Sequence, residues 1–187
     1  MSQSTENLSE ATKFGTEDDV RKLVEVATAV EINWRDNSGW TALHCACYEG
    51  KQRIAKILLS HGEIQTNLKT SKGSTPFMLA CAEGHIESVK VLLGDGRVRP
   101  NEANDQGTTP LWFSARNGFL EIVQWWIASG AEVQLGQQGV ENSDAVAVAK
   151  ESKNEVHPLL ERFRNNQLQT RLEVRRKLGI KGKTHPF

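Results

Sequence analysis

The chain has no apolar run approaching the ~20 residues that a helix needs to cross a bilayer. Its first ten residues are polar and lack the apolar stretch of a secretory signal. It has only three cysteines, Cys45, Cys47 and Cys81, which cannot make a disulfide framework. A reducing, intracellular setting, cytoplasmic or nuclear, is therefore expected. Neither sign of charge is in excess, with 23 Lys and Arg against 23 Asp and Glu, so net charge selects no partner. No phosphate loop, dinucleotide-binding glycine pattern or zinc-protease motif occurs. Gly94-Asp95-Gly96 imitates a nucleotide loop only superficially, because it lies in a connecting segment and opens no helix. These absences point away from an enzyme, and no cofactor is expected.

What the chain does have is a phrase repeated every 34 residues. Gly39-Trp40-Thr41-Ala42-Leu43-His44 returns as Gly73-Ser74-Thr75-Pro76-Phe77-Met78 and as Gly107-Thr108-Thr109-Pro110-Leu111-Trp112. Gly50, Gly84 and Gly118 keep the same step, as do Asn33, Asn67 and Asn101, and Leu58, Leu92 and Trp126. A period of this size marks a solenoid, whose units bury their apolar faces only against one another. Such a stack offers a long surface and no enclosed pocket, which favours binding over catalysis.

Within residues 36–69, Asp36-Asn37-Ser38-Gly39 is a turn signature. Thr41 is a natural N-cap, and Pro76 and Pro110 take the first helical position in the sister units, where a missing N–H costs nothing. A short helix over about 42–49 ends at Gly50, a position suited to a left-handed residue. A second, over about 53–60, carries Ile54, Ile57 and Leu58 on one face, and Gly62 is expected to stop it.

This succession of turn, short helix, longer helix and extended return resembles the ankyrin repeat. The match rests on Asp36, Gly39, Thr41, Leu43, His44, Ala46, Gly50, Leu58, Leu59 and Gly62, and on their counterparts in the next two units. It implies an all-α ankyrin-repeat solenoid of helix-turn-helix units joined by hairpin loops. Ala42 replaces the family's usual Pro, Phe77 a Leu, and Met78 and Trp112 stand where the family has a His that ties the turn to the helix start. The expected division is a flexible N-terminus over 1–5, then a repeat domain over 6–166. That domain comprises an N-terminal capping repeat (6–35), three regular units (36–69, 70–103, 104–137) and a C-terminal capping repeat (138–166). Residues 167–187 form a basic extension, in which 168–180 is expected to make one more helix with Leu168, Leu172 and Leu178 as sparse anchors, and its end, 181–187, is expected to be disordered.

His44, Cys45 and Cys47 are the one cluster with metal-like residue types, but no second pair completes a site. Cys47 aligns with Cys81 and Ala115, a position wanting a small residue between helices, so the cysteines are read as structural and no metal is expected. Trp125 and Trp126 align with apolar positions of the second helix and are expected in the core.

Resemblance to the family implies that hairpin tips and first helices line a concave partner face. Trp40, Tyr48, Lys72, Leu79, Gln106, Phe113 and Arg116 would then form a mixed aromatic and polar strip, of the residue types enriched at hot spots. The plainer reading is that Leu79 and Phe113 pack inward. The expected function is a non-enzymatic scaffold or adaptor that binds another protein, with the chain a monomer. The alternative rests on charge: residues 160–187 hold eight Lys or Arg against Glu161 and Glu173, a net +6, leaving −6 on the remainder. Arg171, Arg175, Arg176 and Lys177 could extend into solvent, fold back on the repeat body, or contact nucleic acid or an anionic surface. Nucleic acid is disfavoured, because no dense basic face with interleaved aromatics accompanies them.

Overall fold

A computed structural model of the protein describes residues 3–135 and 144–180, with the side chains of 3–7 left aside. Twelve helices and no strand occur among the described residues. They are α1 (Gln3–Phe14), α2 (Glu17–Val26), α3 (Ala29–Ile32), α4 (Ala42–Tyr48), α5 (Gln52–Leu59) and α6 (Pro76–Ala82). There follow α7 (Ile86–Leu93), α8 (Pro110–Arg116), α9 (Leu120–Ser129), α10 (Ala145–Glu151), α11 (Val156–Asn165) and α12 (Gln167–Lys177).

Threonine starts most of these helices. Thr41, Thr75 and Thr109 each accept a hydrogen bond from the amide three residues on, of His44, Met78 and Trp112 respectively. Thr16 and Thr28 do the same for α2 and α3, where Asp19 and Glu31 reach back to close the capping box. Each first helix ends at a glycine with positive φ: Gly50, Gly84 and Gly118.

The helices form two rows. α1, α4, α6, α8 and α10 pack in sequence as the inner row, and α2, α5, α7 and α9 as the outer row. One apolar cluster runs through both, from Leu8 and Val20 through Leu58, Leu92 and Trp126 to Leu160, Phe163 and Val174. Phe77 sets its ring edge against Trp126, 5.0 Å between centroids, which locks the first helix of one unit to the second helix of the next. Fully burying a side chain of Leu or Phe size stabilises by ~1.5–3 kcal/mol, and only neighbouring units supply that burial.

Several details differ from the sequence expectation. α1 begins at Gln3, within the segment expected to be a flexible lead. α5 stops at Ser60 rather than through Gly62, which has no positive φ, because Ser60 Oγ donates to the Ile57 carbonyl. Trp125 is half-buried, outside the core, with the Lys90 ammonium 4.5 Å above its ring. In α12 the contact face is Thr170, Val174 and Leu178, spaced by four, so Leu168 (68% exposed) and Leu172 (50% exposed) point away instead of anchoring it. The loop around 134–142 and the end, 181–187, fall wholly or partly outside the described residues.

Candidate partner-binding face

Each hairpin is held by the residue that opens it. Asp36 Oδ1 accepts the amides of Ser38 and Trp40, Thr70 Oγ1 those of Lys72 and Ser74, and Asn104 Oδ1 those of Gln106 and Thr108. The tips are stitched together: the Ser71 amide donates to the Ser38 carbonyl at 2.8 Å, and that of Asp105 to the Lys72 carbonyl at 3.4 Å. Lys72 and Gln106 are exposed on these tips, one hairpin apart.

Below the tips lies the first helix of each unit. Tyr48 is 45% exposed and meets the edge of Trp40, which is half-buried, with ring centroids 5.4 Å apart. Trp40 also leans on His44 at 6.0 Å. Leu79 is half-buried on α6. On α8, Phe113 is half-buried with its ring edge-on to buried Trp112, and exposed Arg116 places its guanidinium 5.1 Å from the Trp112 ring centroid. Because α4, α6 and α8 adjoin one another, these side chains follow one another along the inner row. Cys45, at the register position of Leu79 and Phe113, is buried, so that position opens to solvent only in the later units. Phe113 packs partly against the core, so for it the inward reading is half correct.

His44 is structural. Its Nδ1 accepts the Thr41 amide at 3.1 Å, and its Nε2–H donates to the Ser74 carbonyl of the next unit at 3.2 Å. Burial disfavours the charged ring and holds its pKa down, to about 4, so it works as a neutral imidazole. Burial likewise pushes the thiols of Cys45, Cys47 and Cys81 up, which makes them packing groups rather than nucleophiles or ligands. No group of three or more His, Cys, Asp or Glu that could hold a metal ion occurs among the described residues.

The four cations singled out in the basic extension divide. Arg171 donates to the carbonyls of Gly130 and Ala131, and Arg175, 6% exposed, donates to that of Ala128 at 2.8 Å. These two guanidiniums face the carbonyl end of α9, where positive charge suits the helix dipole. Arg176 and Lys177 are exposed. The extension folds back on the body, with Arg171 and Arg175 donating to backbone oxygens.

Two sets of residues went unassigned in the sequence. Asn33, Asn67 and Asn101 each clasp the next return from both ends of the amide. Their Nδ2 donates to the carbonyls of Glu63, Arg97 and Glu132, and their Oδ1 accepts the amides of Gln65, Arg99 and Gln134. The repeat spacing was the signal for them. Arg97 had none: it reaches back to the carbonyls of Leu59, His61 and Gly62.

Paired helices in two rows, with hairpin tips at one edge and backbone clasps at the other, define a repeat solenoid with an extended open face. The chain belongs to the ankyrin-repeat family: a family model described as ankyrin repeats (3 copies) matches residues 8–99 and 65–137. No curated protein matches it. Ankyrin repeats are in general protein–protein interaction modules, and no helix among the described residues is long and apolar enough to cross a membrane.

Proposed function

We propose that this chain is a non-enzymatic scaffold or adaptor that binds a partner protein through the face made by its hairpin tips and first helices. The observation that carries this reading is the Trp40–Tyr48 pair. The rest of α4 is buried, yet Tyr48 remains 45% exposed and is held in orientation by the edge contact to Trp40. Aromatic side chains fixed before binding lose little entropy on association, which is how a small number of residues comes to dominate an interface. Arg116, stacked on Trp112, extends the strip to α8 with a second residue type of that kind. Lys72 and Gln106 supply a polar rim.

The basic extension makes a weaker platform for an anionic partner. Arg175 is buried, Arg171 is turned to the α9 carbonyls, and of the four cations only Arg176 and Lys177 remain open.

The test is capture of partners from native lysate at two ionic strengths, using the wild type, Tyr48→Ala, Arg116→Glu and Arg176→Glu/Lys177→Glu. All variants would first be shown to be folded by circular dichroism. A protein retained at high salt and lost with Tyr48→Ala or Arg116→Glu supports the inner face. Retention through both changes, with release by salt or by the Arg176/Lys177 variant, would sink it in favour of the extension.

A further inference from the structure

Three outer helices of the stack, α5, α7 and α9, end beside the return of the following unit. Two of these ends receive a guanidinium. Arg97 closes α5: its Nη2 lies 2.6 Å from the Leu59 carbonyl, and its Nη1 lies 3.2 and 3.3 Å from those of His61 and Gly62. Arg171 and Arg175 close α9. α7 receives none.

The backbone there nevertheless repeats three of the hydrogen bonds that end α5. The bond from Ser60 to Lys56 becomes that from Gly94 to Lys90. Likewise His61 to Leu58 becomes Asp95 to Leu92, and Ile64 to His61 becomes Val98 to Asp95. The carbonyls of Leu93, Asp95 and Gly96 therefore correspond to the three that Arg97 satisfies on α5. Among the described residues no donor reaches the carbonyl of Leu93 or Gly96.

The residue at this position varies along the stack, being Glu63, Arg97 and Glu132 in successive returns. The Asn clasps give the register: Asn67 holds the Arg97 carbonyl, while Asn101 holds that of Glu132, so Glu132 occupies in the fourth return the place of Arg97 in the third. The step between them is 35 residues rather than 34, the extra residue falling near left-handed Gly130. A carboxylate thus stands where the neighbouring unit has a guanidinium.

The result is a cavity of about 710 Å³ between the two returns, bordered by Leu93 to Gly96, Val98, Glu102, Ser129 and Glu132. Its charged lining is three carboxylates, Asp95, Glu102 and Glu132, against the single cation Arg99. Asp95 is committed to Arg97 and Glu102 to Arg99, which leaves Glu132 as the carboxylate without a cation on it among the described residues. Its Oε1 accepts from the Gln134 side-chain amide at 3.0 Å.

We propose that this cavity binds an arginine side chain of a partner protein, whose guanidinium takes the position at α7 that Arg97 takes at α5. A planar fork suits the site because its acceptors lie at two levels, as Arg97 itself demonstrates with one nitrogen on Leu59 and the other on His61 and Gly62. The volume exceeds one guanidinium and leaves room for the flanking peptide. The surface lies at the return edge, distinct from the hairpin-tip face, so either can fail without the other.

The experiment titrates the full-length, isotope-labelled chain with Nα-acetyl-arginine amide and, separately, Nα-acetyl-lysine amide, following backbone amide resonances. Saturable shifts confined to Gly94, Gly96, Val98 and Ala131 are expected with the arginine derivative, with the lysine derivative roughly tenfold weaker. Glu132→Arg, which supplies the guanidinium from within, should abolish the shifts and raise the Tm. Glu132→Gln keeps the cavity open without the charge and should weaken them. Absence of shifts, equal binding of the two derivatives, or undiminished shifts in Glu132→Arg would each overturn the proposal. The variant at an exposed position leaves the core intact, and loss of Tyr48-dependent partner capture would not touch this readout.

Discussion

The imidazole Nε2 of His85 lies 2.8 Å from the carbonyl oxygen of Tyr48, at the end of the first helix of the preceding unit. That contact brings the ring over Gly50, where an added Cβ would sit 2.6 Å from His85 Nδ1. The arrangement recurs with different chemistry: Phe119 covers Gly84, and Asn154 covers Gly118 while donating to the Ala115 carbonyl. The glycine step therefore has two causes, a left-handed backbone and the side chain of the next unit lying on it.

Gly84→Ala tests both causes together. Its φ is +78° and its Cβ would meet the Phe119 ring at 2.8 Å, so we expect a loss of ~2 kcal/mol or more, seen as a lower urea midpoint. Gly62→Ala is the comparator, since nothing lies within 4 Å and its φ is not positive. It should be neutral or stabilising by a few tenths of a kcal/mol. Equal effects would mean that the glycine step is not set by packing between units.

Asn67→Ala removes a donor and an acceptor at once, stranding the Arg99 amide and leaving the Arg97 carbonyl with the Thr66 hydroxyl alone. The expected cost is ~1–3 kcal/mol, while Asn37→Ala, at an exposed hairpin tip, should change stability by less than ~0.5 kcal/mol. Chemical denaturation of the two variants side by side decides it.

The repeat made the fold readable. Thr41, Thr75 and Thr109, with Pro76 and Pro110, announce helix starts through requirements local to a few residues, and Gly50, Gly84 and Gly118 announce the ends. What escaped the sequence depends on partners distant in the chain. Arg97 is unremarkable until Leu59, His61 and Gly62 are placed beside it. Arg175 looks like one of several tail cations, although it is buried against α9 some 47 residues earlier. Of the three expected anchors Leu168, Leu172 and Leu178, Leu178 alone packs on the core, and the helix settles on Thr170 and Val174, the face from which Arg171 and Arg175 reach the carbonyls. Apolar spacing reports a face, and a specific polar contact can rotate it. The inner-face residues lay between these cases: their positions followed from the repeat, whereas the edge contact that orients Tyr48 needed coordinates.

His44 gives the chain a pH-dependent term. The folded pKa is depressed to about 4 by burial, against about 6.5 for an unfolded imidazole, so between these values the unfolded state binds more protons. Stability is full above pH 6.5 and falls as the pH drops towards 4. The loss between pH 7 and pH 5 is about 2 kcal/mol at 1.36 kcal/mol per pKa unit. His44→Met, which copies the residue of the next unit, should flatten this slope whatever it does to absolute stability. Parallel denaturation curves at pH 7 and pH 5 supply the comparison, and an unchanged slope in the variant would assign the effect to other groups.

Arg175→Ala addresses how the stack ends. A buried guanidinium donating to the Ala128 carbonyl contributes ~1.5–3 kcal/mol, and without it the carbonyl end of α9 loses its closest cation. Solenoid stability is a sum over neighbouring interfaces, so the damage should stay local. Amide hydrogen exchange in α12 and the last turn of α9 should accelerate by one to two orders of magnitude, while α4 and α5 remain as protected as before. Uniform loss of protection along all the units would instead make the basic extension a support of the whole stack. Unaltered exchange in α12 would show that Thr170, Val174 and Leu178 hold the helix without the arginine, and the fold-back would then be an apolar cap carrying an incidental charge.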